Sequence, residues 1–549
     1  MADRKGKIII VGLDGASFNI IDPLITAGRL PNLAFLKNTG ACGPLKTIYP
    51  PLTLPAWASC ITGTHPGKHG VYSFETLQPG SYHCKPVNGS DLQVEHIGRI
   101  LSRKGKQAGL MNVPSTYPPE PLNGFIVSGM ETPGRHSEFT HPLDLKKDLI
   151  NKFDYQLEIA QKYGQGDEKS YRDNVVSIEN KRKKAFYYLM EEYPKSDFLM
   201  VVFRGTDVLA HHFWRFHDST HPRHDPEMAK EWGNTISEHY VMMDGVIGEI
   251  LSKMSKEDSL FIVSDHGSGP RLRDIYLDSY FVECSLMTIK PNLKYWLYRH
   301  GLNANNLIKF LRTIGLPSLY RKLPMKTRIR MRQQFRPYDV DWANSKALPL
   351  GGWGQIFINV TGRFPEGFIK PGSEYEEVIS LITENLLKLQ DPETGERIII
   401  DVKRGNDVYP DAIVGHLPDL FAYFNDDKYV GIGAQAFTND IMSPMLREPS
   451  GTHTEEGIFF ACGPDIRNGH VVGAADITDV TPTALHLMGL PVMDYMTGKV
   501  LSEIFRPGSS PDRPPEIEKN DQRTAKEKHI LSEDDQEKIK ERLRNLGYL

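Results

Sequence analysis

Short apolar runs exchange regularly with longer amphipathic stretches along this chain, and that exchange constrains the fold more than any other feature. The runs are Lys7 to Leu13, Ala108 to Val113, Gly124 to Met130, Asp197 to Arg204, Ser259 to Ser264, Gln355 to Val360, Asp419 to Phe424 and Gly457 to Cys462. Each has strand length, and most are apolar at successive positions, as in strands buried on both faces. Helical patterns lie between them at Asp91 to Arg103, Asn174 to Glu192, Pro226 to Met254 and Glu374 to Leu389. The alternation predicts an α/β fold, a largely parallel central sheet flanked by helices. With 549 residues, 40% of them apolar, the chain can bury one large core and still carry an insertion.

In open sheets of this kind, ligands gather outside the carboxyl ends of the strands. Asp14 follows the first run, Asp207 the fourth, and Asp265 and His266 the fifth, so four acid or imidazole side chains are expected along one edge. His211 lies one helical turn beyond Asp207, where two side chains can converge. Neither Asp nor His suits the end of a very apolar strand on packing grounds, and Gly267 lets the backbone turn so that both face one site. His453, in a loop before the last run, is a sixth donor. Carboxylate oxygen and imidazole nitrogen are groups that zinc or manganese accepts. Thr53 opens a helix at Thr53-Leu54-Pro55. As an N-cap its hydroxyl would satisfy the helix itself. As a neighbour of bound phosphate and metal, the same hydroxyl becomes a nucleophile.

Composition narrows the class. A formal charge of -4 gives no whole-chain case for binding nucleic acid or a membrane. The apolar run after the first seven residues is too short for a signal segment, and no stretch has transmembrane length. Cys42, Cys60, Cys84, Cys284 and Cys462 form an odd, widely spaced set, which reads as reduced thiols in the cytoplasm.

The expected organisation is a catalytic core from residues 1–270 plus 340–506, an inserted lobe at 271–339, and a linker with a C-terminal helix at 507–549. From Ser285 to Tyr338 there are twelve Lys or Arg and no Asp or Glu. Helical patterns fall around Leu293 to Arg299 and Ala304 to Ile314, so a mostly helical basic cap is expected. It is either a solvated face or a surface that draws polyanions. Pro507 to Gln522 reads as linker, and Leu531, Ile539, Leu543 and Leu546 recur at helical spacing.

Taken in order, Asp14-Gly15, Thr53-Leu54-Pro55, the loop from Thr62-Gly63 through Pro66 to His69-Gly70, Asp207 with His211, Ser264-Asp265-His266-Gly267 and Gly451-Thr452-His453 resemble the alkaline phosphatase superfamily. Within it they are similar to the type I phosphodiesterase and nucleotide pyrophosphatase branch, over residues 7–505. The resemblance implies two divalent cations, zinc in most of that branch, roughly 4 Å apart. It implies Asp14, Thr53, Asp265 and His266 on one cation and Asp207, His211 and His453 on the other. Thr53 would attack phosphorus in a phosphate ester or phosphonate and form a phospho-threonine. One departure stands out: nucleotide pyrophosphatases carry Asn after the Pro of the nucleophile loop, and this chain has Ala56 and then Trp57. Helix-start N–H groups, Arg204 or His212 are the candidate replacements, with Trp57 a further candidate substrate contact. Transfer to another acceptor, as in the mutases and transferases of the superfamily, and a catalytically silent binding protein are the alternatives to hydrolysis.

Overall fold

The computed structural model describes residues 6–158, 161–164, 166–291, 293, 296, 300, 340–350, 352–412, 417–425, 429–433, 440–443, 449–519 and 528–546. Five strands form the parallel centre of its main sheet, in the order Ser259–Val263, Ile8–Leu13, Phe198–Phe203, Ala108–Val113 and Gly124–Ser128. Beyond Ser259–Val263 the sheet continues antiparallel through Glu456–Cys462 and Ala41–Lys46. The Ala41–Lys46 strand, with Gly43 and Pro44 inside it, carries too weak an apolar signal to stand out in the sequence.

Strand periodicity sorts the side chains of this sheet into two layers. Ile9, Val11 and Leu13 join Leu199, Val201 and Phe203 in one apolar cluster, while Ile8 and Ile10 join Phe198, Met200 and Val202 in another. Because both faces are covered, the Ile8–Leu13 strand is buried at every residue. The Ile8 strand lies between Phe198–Phe203 and Ser259–Val263 in matched register, Ile10 opposite both Met200 and Phe261. Their carboxyl ends therefore open at one level, and Asp14, Arg204 and Ser264 leave the sheet side by side.

Several expected elements form with different boundaries. The single helix expected from Pro226 to Met254 is two, Pro226–Trp232 and Thr235–Lys253. The runs at Gln355 and Asp419 do form strands, but in a second, four-stranded antiparallel sheet ordered Ala347–Leu350, Gln355–Ile358, Leu420–Phe424, Ile399–Arg404. Ile356, Ile358, Leu420 and Ala422 share their own apolar cluster with Val378, Ile379, Ile382 and Leu386 of the Ser373–Lys388 helix. Val340 returns the chain to that cluster rather than to the main sheet.

The beginning of the expected basic lobe is tied to later chain, since Arg273–Tyr276 pairs in parallel with Tyr429–Ile432. The helix expected at Ala304 to Ile314 lies outside the described residues, as does most of the one at Leu293 to Arg299. The C-terminal helix is present at Glu533–Leu546, and Leu531, Ile539, Leu543 and Leu546 are buried in the same cluster as Leu13 and Phe203.

Candidate metal centre

Asp14 stands just past the first strand, its N–H bonded to the Phe203 carbonyl at 2.9 Å. Gly15 follows at φ +66°, where a Cβ would lie 2.9 Å from Asp207 Cβ and 3.0 Å from Ser268 Oγ. The turn thus requires glycine twice over, for its backbone angle and for its space. It directs the Gly15 N–H at Asp265 Oδ1, 3.2 Å away.

Thr53 is the first residue of its helix, Thr53–Thr62, and the cap position belongs to Leu52. Its hydroxyl therefore does not close the helix end, as the N-cap reading expects. Instead Oγ1 lies 3.2 Å from His266 Nε2. Asp207 and His211 occupy successive turns of the Gly205–His217 helix. His453 belongs to a short strand, Gly451–Thr454, rather than to a loop, and that strand pairs antiparallel with Gly267–Pro270. Gly267 serves this pairing by its lack of a side chain, since a Cβ there would lie 2.3 Å from Thr454 Oγ1 and 2.1 Å from the Glu456 carbonyl.

The seven residues expected to form the site are thus brought together, all buried. Asp207 Oδ1 lies 3.2 Å from His211 Nε2 and 3.4 Å from His453 Nε2. His266 Nε2 lies 3.2 Å from Asp265 Oδ2 and 3.5 Å from Asp14 Oδ1. The His266 and His453 rings stack with centroids 3.7 Å apart. Two sets of donors have mutual spacings suited to a metal ion, Asp207 with His211 and His453, and Asp14 with Asp207 and His266. Asp207 belongs to both, where the resemblance implies a place in one.

The chemistry of the donors fits cations. His211 Nδ1 faces the Gly451 carbonyl at 3.0 Å, His266 Nδ1 the Gly267 carbonyl at 2.9 Å, and His453 Nδ1 the Pro51 carbonyl at 2.6 Å. A carbonyl only accepts, so each Nδ1 carries a proton, and in the neutral ring Nε2 is the nitrogen left with a lone pair for a cation. The lone pairs of His211 and His453 then point at each other across 3.0 Å. That contact is repulsive unless a positive charge lies between them. Among the described residues, Asp14 Oδ1 and Asp265 Oδ2, both buried, have no hydrogen-bond donor. Burial pushes the Asp14 carboxyl up to about 7, helped by Asp207, although Arg204 opposes it. Burial and the neighbouring carboxylates of Asp14 and Asp207 likewise hold Asp265 well above the usual range. Crowded buried carboxylates of this kind ionise together when cations share their site.

The three candidate substrate contacts fare differently. Trp57 packs inside the apolar layer beneath the sheet, its ring against the position a Gly12 side chain would take, so it is a packing residue. His212 points away from His211, its ring stacked on Tyr163 at 4.4 Å and edge-on to Tyr171 at 5.1 Å. Adjacent residues of a helix diverge, and packing claims this one. Arg204 is at the site, but its Nε donates to Asp14 Oδ2 at 3.0 Å and its Nη1 to Glu158 Oε2 at 2.6 Å. It positions a candidate ligand. Glu158 was not legible in the sequence, because a lone Glu in a polar loop carries no pattern. His69, in the loop that contributes to the resemblance, has a structural role: Nε2 meets Ser59 Oγ at 2.9 Å and Nδ1 accepts the Val71 N–H.

Sheet, strand-end donors and threonine helix together define the alkaline phosphatase class of α/β fold. The chain belongs to the family described as type I phosphodiesterase / nucleotide pyrophosphatase, whose profile matches residues 8–435. Among solved structures it is similar to human ectonucleotide pyrophosphatase / phosphodiesterase 5, with TM-score 0.50 and 13% identity over 91% of this chain and 100% of that one. The murine counterpart, in an inactive form in complex with AMP, gives TM-score 0.51 at 13% identity with the same coverage. Phosphonoacetate hydrolase from Sinorhizobium meliloti 1021, in complex with phosphonoformate, gives 0.52 at 13% identity over 88% of this chain and 96% of that one. No curated protein matches the sequence. Among the described residues, no helix is long and apolar enough to cross a membrane.

Proposed function

We propose that the chain is a two-metal hydrolase of phosphoric esters or phosphonates that uses Thr53 as nucleophile. One observation carries the reading: three imidazole lone pairs and three carboxylates converge beside a buried threonine hydroxyl that no helix cap employs. Asp14, Asp265, His266 and Thr53 would hold one cation and His211 and His453 the other, with Asp207 within reach of both. Zinc suits this mix of imidazole and carboxylate, with manganese the alternative. Bound there, the cations would acidify the Thr53 hydroxyl and offset charge on the phosphoryl oxygens.

The residues of the chain supply the rest. Thr53 Oγ1 forms a bond to phosphorus as the bond to the leaving group breaks, giving a phospho-threonine. Water then cleaves that ester and restores the hydroxyl, so two inversions retain the configuration overall. In the first turn of the Thr53 helix, Pro55 has no N–H and that of Ala56 is taken by the Leu52 carbonyl, so the N–H groups of Thr53 and Leu54 are the ones that would face the anion from the positive end of the helix dipole. They take the part of the absent Asn after Pro55. Arg204 holds Asp14 in place. The relatives in complex with AMP and phosphonoformate support small phosphate or phosphonate substrates. A catalytic core of residues 1–270 plus 340–506 remains the proposed organisation, and five free cysteines support a reducing compartment such as the cytoplasm.

Thr53→Ala should keep its metals, by elemental analysis, while turnover of bis-para-nitrophenyl phosphate falls at least about 10³-fold. Undiminished turnover removes Thr53 from the nucleophile's role.

A further inference from the structure

The C-terminal segment lies beyond the part of the chain that the family profile matches. It nevertheless packs over the loops that leave the active edge of the sheet. The His529 N–H donates to Ser90 Oγ at 2.9 Å, and its ring sits edge-on to Tyr117 at 5.6 Å. Lys540 reaches Glu75 at 3.0 Å, and Arg542 Nη2 donates to the Thr132 carbonyl at 2.6 Å. Thr132 follows the Gly124–Ser128 strand, and Tyr117 follows Ala108–Val113. The two loops are joined by the Tyr117 N–H, which donates to Glu131 Oε1 at 2.6 Å. The Tyr117 loop also touches the nucleophile helix, with Ser115 Oγ 3.4 Å from the Leu54 carbonyl.

Arg542 thereby enters a buried group of charges around the metal centre. Glu158, Arg204 and Glu131 are the charged residues it feels, and Arg204 is bonded to Asp14. Three buried atoms of this group make no hydrogen bond: Glu131 Oε2, Glu158 Oε1 and Arg542 Nε. Arg204 has two carboxylate partners. Among the described residues Arg542 has no carboxylate within ion-pair distance and donates to the Thr132 carbonyl. Its side chain is half-buried, and burial pulls its pKa down while the nearby carboxylates of Glu158 and Glu131 oppose this without pairing with it directly. Fastening a helix to one carbonyl needs only a single donor, which leaves the rest of the planar fork without a structural purpose.

We infer that Arg542 recognises a second anionic group on the substrate, a phosphate or carboxylate oxygen carried by a substituent of the phosphorus that Thr53 attacks. The inference rests on the hydrolase reading for the position of that phosphorus. A charge-assisted, partly buried contact of this type contributes roughly 1.5–3 kcal/mol, about ten- to a hundredfold in affinity.

Calorimetry on the metal-loaded full chain tests this with ligands that cannot be hydrolysed: methylphosphonate, which has one anionic group, propane-1,3-diphosphonate and 3-phosphonopropionate. The protein should bind one or both of the two-headed ligands at least about tenfold tighter than methylphosphonate. The diphosphonate favours a second phosphate and the phosphonopropionate a carboxylate. Arg542→Gln should bring that ratio to within about twofold, and Arg542→Lys should leave it in between, because a point charge lacks the fork. A ratio that survives in Arg542→Gln overturns the proposal, as does equal weakening of all three ligands, which marks a structural role. Should Arg542→Gln fail to fold by its thermal melt, the Lys variant is judged by the same ratio. Absence of turnover on bis-para-nitrophenyl phosphate counts against the hydrolase reading alone, and the ratio still decides for Arg542.

Discussion

Backbone carbonyls from Pro51, Gly267 and Gly451 fix which nitrogen of each site histidine carries its proton. Arg204 does the equivalent work for Asp14, bridging it to Glu158. Partners behind metal ligands typically change metal affinity about 10–100-fold when altered. Arg204→Lys keeps the charge but cannot span both carboxylates, so its metal dissociation constant should rise by about that factor, measured by competition with a chromophoric chelator. Unchanged affinity would show that Asp14 needs no such support. Glu131 offers a test away from the donors. Burial raises its carboxyl from 4.5 to about 7, against the favourable N–H of Tyr117. Between those values the unfolded chain gives up a proton that the folded chain retains, so folding loses stability as pH rises through the interval. Below 4.5 both states are protonated, and above about 7 the loss is constant. Urea melts of Glu131→Gln should therefore show an advantage over the parent that grows from pH 4.5 to about 7 and then levels. An advantage independent of pH would mean that Glu131 is not the titrating group.

Strand ends were the part of the site most legible in the sequence. An Asp or His that follows five or six buried apolar residues has no packing reason to be there, and Asp265 and His266 stand out on that ground, while Asp14 stands out only by its place after the first strand. Local pattern could not reveal that His453 rides on a strand, because a four-residue strand of Gly, Thr, His and Thr has no apolar alternation. Nor could it show that the Gln355 and Asp419 strands leave the main sheet, since pairing is decided by partners distant in the chain. Gly267 connects these levels. A Cβ there would lie 2.3 Å from Thr454 Oγ1 as well as 2.1 Å from the Glu456 carbonyl, so it must push the Gly267–Pro270 strand away from Gly451–Thr454, the strand that carries His453. Gly267→Ala should cost about 1–3 kcal/mol in a urea melt and should also weaken metal binding. Loss of stability with metal affinity intact would separate the strand pairing from the site.

Across the whole molecule, the donors come from segments far apart in sequence, from Asp14 to His453: the turns after two parallel strands, the Gly205–His217 helix and the Gly451–Thr454 strand. No unfolded chain presents that set, so metal binding at the proposed site would be linked to the folding of the entire sheet. The metal-free protein must tolerate Asp14, Asp207 and Asp265 buried together, and burial pushes the Asp14 carboxyl up to about 7 and the Asp265 carboxyl well above the usual range. Cations bound there would remove that conflict. Free metal at about 100 times its dissociation constant should stabilise the fold by about 2.7 kcal/mol, and the melting temperature should climb with the logarithm of its concentration. Asp207→Ala separates this linkage from nonspecific binding, because Asp207 lies between both donor sets. In that variant the metal-dependent rise should collapse; against burial, His211 and His453 hold the Asp207 carboxyl well below the usual carboxylate range, so the chelated variant, which lacks it, should melt below the parent. A rise of undiminished size in Asp207→Ala would place the stabilising metal somewhere other than this site.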